Sequence, residues 1–214
     1  MKSLFDRNIE SILIRSTNWI GDAIMTTPAV RTIRQNFPEA EISMLAQPWM
    51  ADVFAASPHV DHILFYEKKG RHRGLAGMLR LSRLLKTMRF DMAILLQNAF
   101  EAALLAKLAG IPVRAGYQRD ARSLLLTHGV PIRAEIRAKH QVYYYQALLA
   151  DLGLTCGSNE LFLQLAEGPA ERPVELGEAF PIALRDLLPH AQQAAEHVGL
   201  RHALGRNAGP EQAF

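Results

Sequence analysis

Cysteine is all but missing: Cys156 stands alone among 214 residues. No intrachain disulfide framework can form, and a reducing cytoplasm is the expected setting. Charge of one sign is also missing. The net charge is +3, too small for a global attraction to polyanions. No run approaches the ~18 consecutive apolar residues of a membrane-crossing helix. The opening MKSLFDRNIE has no apolar core of a secretory leader. A lipid-bearing substrate would therefore be met from outside the bilayer. There is no G-x-G-x-x-G and no P-loop, which argues against a dinucleotide oxidoreductase or a P-loop enzyme. Asp-x-Asp is absent, so a metal-dependent sugar-nucleotide site is not indicated. His/Cys clusters with metal-ligand spacing are absent too.

What is present is an ordinary globular composition, 49% apolar and 21% charged, enough for a sizeable core. Strand-like and helix-like stretches alternate. Strands are predicted at residues 12–14, 42–46, 62–66, 91–96 and 113–117, and helices follow each of the first four. The helix over 75–88 carries Leu75, Met78, Leu79, Leu81, Leu84 and Leu85 as its apolar face. Gly110 is placed to end the helix over 100–108, and another helix is predicted over 140–152. This β-α alternation predicts a Rossmann-like α/β domain, a parallel sheet with helices on both faces.

The chain is organised around residues 12–30, ILIRSTNWIGDAIMTTPAV. A doubly buried strand is followed by a polar loop, Gly21-Asp22 and a helix. Gly21 lets the backbone pass close to whatever sits above the strand end. In an open parallel sheet ligands bind beyond the carboxyl ends of the strands, so Asp22 would face a ligand. The competing reading is that Asp22 only caps the helix.

Two segments bear on this choice. NWIGDAIMTTPAVRTIRQNFPEAEISMLAQPW (residues 18–49) and LLQNAFEAALLAKLAGIPVRAGYQRDAR (residues 95–122) resemble the lipopolysaccharide heptosyltransferases, glycosyltransferase family 9. The resemblance covers about residues 9–154. It implies the N-terminal, acceptor-binding half of a GT-B glycosyltransferase, transferring heptose from ADP-heptose to a heptose of the lipopolysaccharide inner core without a metal or cofactor. It implies a cytoplasmic enzyme, touching the inner membrane surface peripherally if at all. Asp22 matches the family's Gly-Asp and becomes the candidate base. Gly21 matches with it, and Trp19 either lines the acceptor pocket or covers the sheet edge. Asn98, Arg119 and Arg122 match as acceptor-side contacts. Glu101 departs from the family, which often has a basic residue there.

Lys68, Lys69, Arg71, His72 and Arg73 make a dense basic loop, extended by Arg80, Arg83, Lys86 and Arg89. Arg71 and Arg73 are candidate contacts to acceptor phosphate or carboxylate. An anionic membrane surface and a merely solvated face are the alternatives. No nucleic-acid-binding motif accompanies the loop. His140 opens its helix as a cap or a packing residue.

The character changes after Leu154. Lys139 is the last lysine, and Ile182 is the one isoleucine after Ile136. Residues 1–154 read as the acceptor-binding domain. Residues 155–214 read as a divergent or frameshifted tail, helical in part over 183–204, without the family's donor-binding domain. The chain alone is then expected to be inactive. The other class of function considered is a non-enzymatic α/β module binding an anionic glycolipid or sugar nucleotide.

Overall fold

The computed structural model describes residues 8–119 and 121–163. They lie within one compact unit spanning residues 1–165. The helical periodicity read over 183–204 falls outside the described residues.

Six strands form the sheet: β1 (Ser11–Arg15), β2 (Glu41–Ala46), β3 (His62–Phe65), β4 (Met92–Leu95), β5 (Val113–Tyr117) and β6 (His128–Val130). Their order is β3-β2-β1-β4-β5-β6 and every pairing is parallel. All six carboxyl ends therefore share one edge. The strand order reverses between β1 and β4, the position where open α/β sheets form a ligand crevice.

The helices are α1 (Ile20–Met25), α2 (Thr27–Asn36), α3 (Ala51–Ala55), α4 (Gly74–Thr87), α5 (Phe100–Leu108), α6 (Ala134–Arg137) and α7 (Gln141–Asp151). Contacts group α2 with α7 and α1 with α3 and α7, whereas α4 packs with α5. Ile12, Ile14, Ile42, Met44, Met92, Ile94, Val113 and Ala115 point into the core shared with Ile33, Leu148 and Leu149. Their strand neighbours Leu13, Leu45, Ala93 and Leu95 are buried as well. Burial of both faces explains why these strands read as continuous apolar runs.

Four expectations change. The strand count rises to six, because the three-residue β6 carries a glycine at its centre and shows no apolar run. The single helix expected after Gly21 is two helices. Pro28 has no N–H to offer the Ile24 carbonyl, and Thr27 Oγ1 donates to that oxygen instead at 2.8 Å. Thr26 Oγ1 likewise donates to Ala23 O at 2.6 Å. The short α6 precedes α7 and was not expected. On α4, Leu75 and Leu79 are 75% and 40% exposed; the buried face is Gly77, Met78, Leu81, Ser82 and Leu85. Gly77 belongs there because a Cβ would come within 2.2 Å of the His72 carbonyl carbon. Gly110 takes φ +73, as its place after α5 requires.

Past Leu154 the chain runs along α2. Asn36 exchanges side-chain hydrogen bonds with the Thr155 backbone, both at 2.9 Å. Arg31 Nη2 donates to the Ser158 and Glu160 carbonyls, and the Phe162 N–H donates to Thr27 Oγ1.

Candidate functional site

β1 and β4 flank the switch point, and the chain leaving each carries a polar residue on the carboxyl side of the sheet. After β1 comes Asp22, in the first turn of α1. Trp19, not Asp22, holds the N-cap position, and no side chain caps this helix. The carboxylate of Asp22 is half-buried and is not used up in helix capping. Its negative charge, after burial, helps push the Tyr145 hydroxyl above its ordinary range. A Cβ on Gly21 would meet nothing within 4 Å. The protein itself does not demand a glycine there; the position faces open space. Trp19 is 76% exposed beside it.

After β4 comes Asn98. Its Nδ2 donates to the Tyr144 hydroxyl at 2.8 Å and its Oδ1 accepts from Arg122 Nη2 at 2.9 Å. Arg122 has no exposed surface. It also donates to the Tyr117 carbonyl at 2.7 Å and the Gln97 carbonyl at 2.5 Å. The structure therefore places Arg122 inside the domain, where it orients Asn98 instead of presenting its own guanidinium. Arg119 is exposed after β5 and borders a cavity of about 380 Å³ together with Asn98 and Tyr144. Asp22 does not line this cavity.

The basic loop leaves the tip of β3 on the same edge, but it is less uniformly basic than its sequence. His72 is buried, and its Nδ1 accepts the Glu67 N–H at 3.1 Å. Burial, together with Arg71 and Arg80, lowers its affinity for a proton, against an opposing pull from Glu67. A neutral ring is what the hydrogen bond requires. Lys68 is paired with Glu101. Arg71 is half-buried, and Arg73 is exposed at the start of α4.

Sequence reasoning missed the charged group behind this loop. The buried Arg15 ends β1. Its Nη1 donates to the Ser16 and Leu45 carbonyls at 2.9 and 3.0 Å, and its cation lies 5.0 Å from the Tyr66 ring centre. Burial pushes its pKa down to about 10, although Glu101 acts to raise it. The Tyr66 hydroxyl donates to Glu101. The available signal was an arginine closing an otherwise apolar strand, together with Glu101 standing where the family often has a base. Among the described residues, no group of three or more His, Cys, Asp or Glu side chains is arranged to hold a metal ion.

The parallel sheet with its flanking helices has the Rossmann-like architecture found in the halves of GT-B glycosyltransferases. The fold matches a glycosyltransferase family 9 structure from Veillonella parvula DSM 2008, with a TM-score of 0.67 at 24% identity, over 74% of this chain and 46% of that one. It also matches the ADP-heptose LPS heptosyltransferase II of E. coli, with a TM-score of 0.60 at 29% identity, over 74% of this chain and 48% of that one. Residues 78–177 match the model of glycosyltransferase family 9 (heptosyltransferase). The match runs past Leu154, where the sequence resemblance fades. Lipopolysaccharide heptosyltransferase 2 of Escherichia coli K12 is 28% identical over 164 residues, 73% of this chain and 47% of that protein. Lipooligosaccharide heptosyltransferase 2 of Haemophilus ducreyi is 29% identical over 54% of this chain and 33% of its own length. The chain spans about half the length, or less, of the curated relatives it matches.

The Glu101 carboxyl makes a pH prediction. Burial raises its pKa, and the nearby Arg15 cation opposes that rise. The folded state therefore holds this proton more tightly than the unfolded chain does. Its contribution to stability is greatest at low pH and falls as pH rises through the ordinary glutamate range to the raised value. Urea unfolding of wild type and Glu101→Gln, compared between about pH 4 and 7, should shift in favour of the variant as pH rises. A difference moving in favour of the wild type would contradict this.

Proposed function

We propose that this domain binds the acceptor in a heptosyl transfer of lipopolysaccharide inner-core assembly, with ADP-heptose as donor and Asp22 as base. The observation that carries the reading is the placement of Asp22 and Asn98 after the two strands that flank the switch point. In the reaction the acceptor hydroxyl oxygen bonds to the anomeric carbon of the donor and the bond from that carbon to phosphate breaks. ADP departs with the electron pair, and the hydroxyl proton passes to the Asp22 carboxylate. A half-buried carboxylate left uncommitted by the helix suits that role. Open space at Gly21 and the exposed Trp19 ring offer room for a sugar beside it. Arg71, Arg73 and Arg119 supply guanidinium groups for acceptor oxyanions on the same edge, and Asn98 adds an oriented amide. No metal or cofactor enters this scheme.

By the family resemblance the donor's ADP is held by a second Rossmann-like domain, which is not found among residues 8–163. Those residues alone should bind a heptose-terminated core without transferring to it. Turnover by them alone would overturn this division of labour. With a donor-binding half supplied in the same polypeptide, Asp22→Asn should lower the transfer rate by about 10²–10⁴-fold. Acceptor affinity should stay within a few fold. An Asp22→Asn enzyme that transfers at the wild-type rate would remove Asp22 from the chemistry. Saturable acceptor affinity with no transfer even when both halves are joined would favour a binding module instead.

A second contact is favoured by the exposed face of α4. Leu75 and Leu79 stand out to solvent among Arg80, Arg83 and Lys86, and α4 contains no carboxylate. No helix among the described residues is long and apolar enough to cross a membrane. We infer that this face rests on the anionic surface of the inner membrane, where the lipid acceptor would be met. In co-sedimentation, the full chain should bind phosphatidylglycerol vesicles and not phosphatidylcholine vesicles. At ~1 kcal/mol per basic residue, Arg83→Gln with Lys86→Gln should weaken binding by about tenfold or more. Equal binding to both vesicle types would contradict the inference.

A further inference from the structure

The cavity of about 380 Å³ beyond β4 and β5 is bordered by Asn98, Gln118, Arg119, Arg137, Lys139 and Tyr144. Two of these cations, Arg137 and Lys139, come from α6 and the turn before α7, a stretch outside every motif that carried the family resemblance. Among the described residues no carboxylate lines the cavity. Among the described residues, two nearby acids are engaged: Arg133 lies 3.6 Å from Glu135 and 3.3 Å from Asp151.

The wall of the cavity is built to hold one polar group in place. Tyr144 is buried, its ring lies 4.4 Å from that of Tyr117, and the Tyr117 hydroxyl donates to the Tyr144 carbonyl at 2.7 Å. Asn98 Nδ2 donates to the Tyr144 hydroxyl oxygen at 2.8 Å, and against the opposing effect of burial the Arg119 cation beside it favours the ionised phenol. A phenol oxygen that receives a donor still carries its own proton, which needs an acceptor. Asn98 cannot turn its own oxygen toward that proton, because Arg122 holds Oδ1 at 2.9 Å. The cavity thus offers an O–H donor flanked by three cations, and among the described residues that line it the acceptors are neutral amide oxygens.

We propose that this cavity is an oxyanion subsite that takes a phosphate or carboxylate group of the sugar acceptor, with Arg137 and Lys139 supplying charge and Tyr144 a hydroxyl donor. The proposal rests on the acceptor-binding reading above and adds to it the place where an anionic substituent is recognised. Charge-assisted hydrogen bonds from guanidinium and ammonium groups account for the preference for an oxyanion over a neutral hydroxyl.

Calorimetric titration of the full chain tests it. The probes are the de-acylated, heptose-terminated core oligosaccharide, the same oligosaccharide freed of phosphate, the same with its carboxyls reduced, and inorganic phosphate. Arg137→Gln combined with Lys139→Gln should weaken binding of the charged core by about tenfold or more. The treatment that erases this difference names the oxyanion. Both side chains are exposed, so folding should survive; Tyr144→Phe, which removes only the hydroxyl, should weaken binding in the same direction. Charged core bound equally by wild type and double variant would overturn the subsite and leave the acceptor reading standing. Inorganic phosphate bound through Arg137 and Lys139, with no affinity for any core oligosaccharide, would support the oxyanion site and overturn the acceptor as its source.

Discussion

Arg122 carries a permanent charge to a place with no exposed surface, and the oxygens that receive it include the carbonyls of Gln97 and Tyr117 and the amide oxygen of Asn98. Gln97 follows β4 and Tyr117 ends β5, so one side chain ties two strand tips together. A buried guanidinium is tolerated only when its donors are satisfied, and removing a partner from such a set costs roughly 3–5 kcal/mol. That penalty makes the local arrangement close to all-or-none. Once Asn98 gives its oxygen to Arg122, its nitrogen must point elsewhere, and it meets Tyr144. The face of the candidate site formed by β4, β5 and α7 follows from that one choice.

The opposite side of the switch point follows the same logic with a different arginine. Arg15 ends β1 under cover, and its charge is shared with two carbonyls, the face of Tyr66 and the nearby Glu101. Glu101 in turn holds Tyr66 and Lys68, and so anchors the start of the loop that displays Arg71 and Arg73. The gap left by the reversal of strand order lies between β1, which Arg15 ends, and β4, whose following residue Gln97 accepts from Arg122. An all-parallel sheet makes this concentration of polar groups necessary: every strand delivers its following loop to one edge, and the apolar faces have no room for them. Structure and chemistry are thus divided cleanly. The aliphatic side chains of β1, β2, β4 and β5 fix the platform, and a few polar groups at their tips decide what it can bind.

Much of this was legible in the sequence because the interior strands are nearly pure aliphatic runs, and α5 and α7 are bounded by residues with local meaning, Gly110 and His140. His140 caps α7 through its ring, accepting the Val142 N–H at 3.4 Å. The misreadings have distinct physical origins. β6 is too short and too polar to show a period. Pro28 lies inside the stretch after Asp22 that reads as one helix, but hydroxyl donors at 26 and 27 stabilise a break there. Leu75 and Leu79 fit the helical period of a buried face, yet period alone cannot say which apolar stripe meets the sheet. Arg122 looked like a ligand contact because motif position records that an arginine matters without recording whether it faces inward. Arg137, Lys139 and Tyr144 converge only through the packing of α6 and α7, and no local pattern announces that.

The central claim is that the acceptor is held at the carboxyl edge of this sheet, around the gap between β1 and β4. Backbone amide shifts of the isotopically labelled chain, followed while a heptose-terminated core oligosaccharide is added, test it most directly. The account predicts saturable shifts gathered at the carboxyl edge of the sheet: residues 17–22, 97–101 and 118–122, with the loop at 67–73 and the stretch 137–144 beside the cavity. Shifts gathered at the opposite edge of the sheet, or none at a saturating concentration, would contradict it.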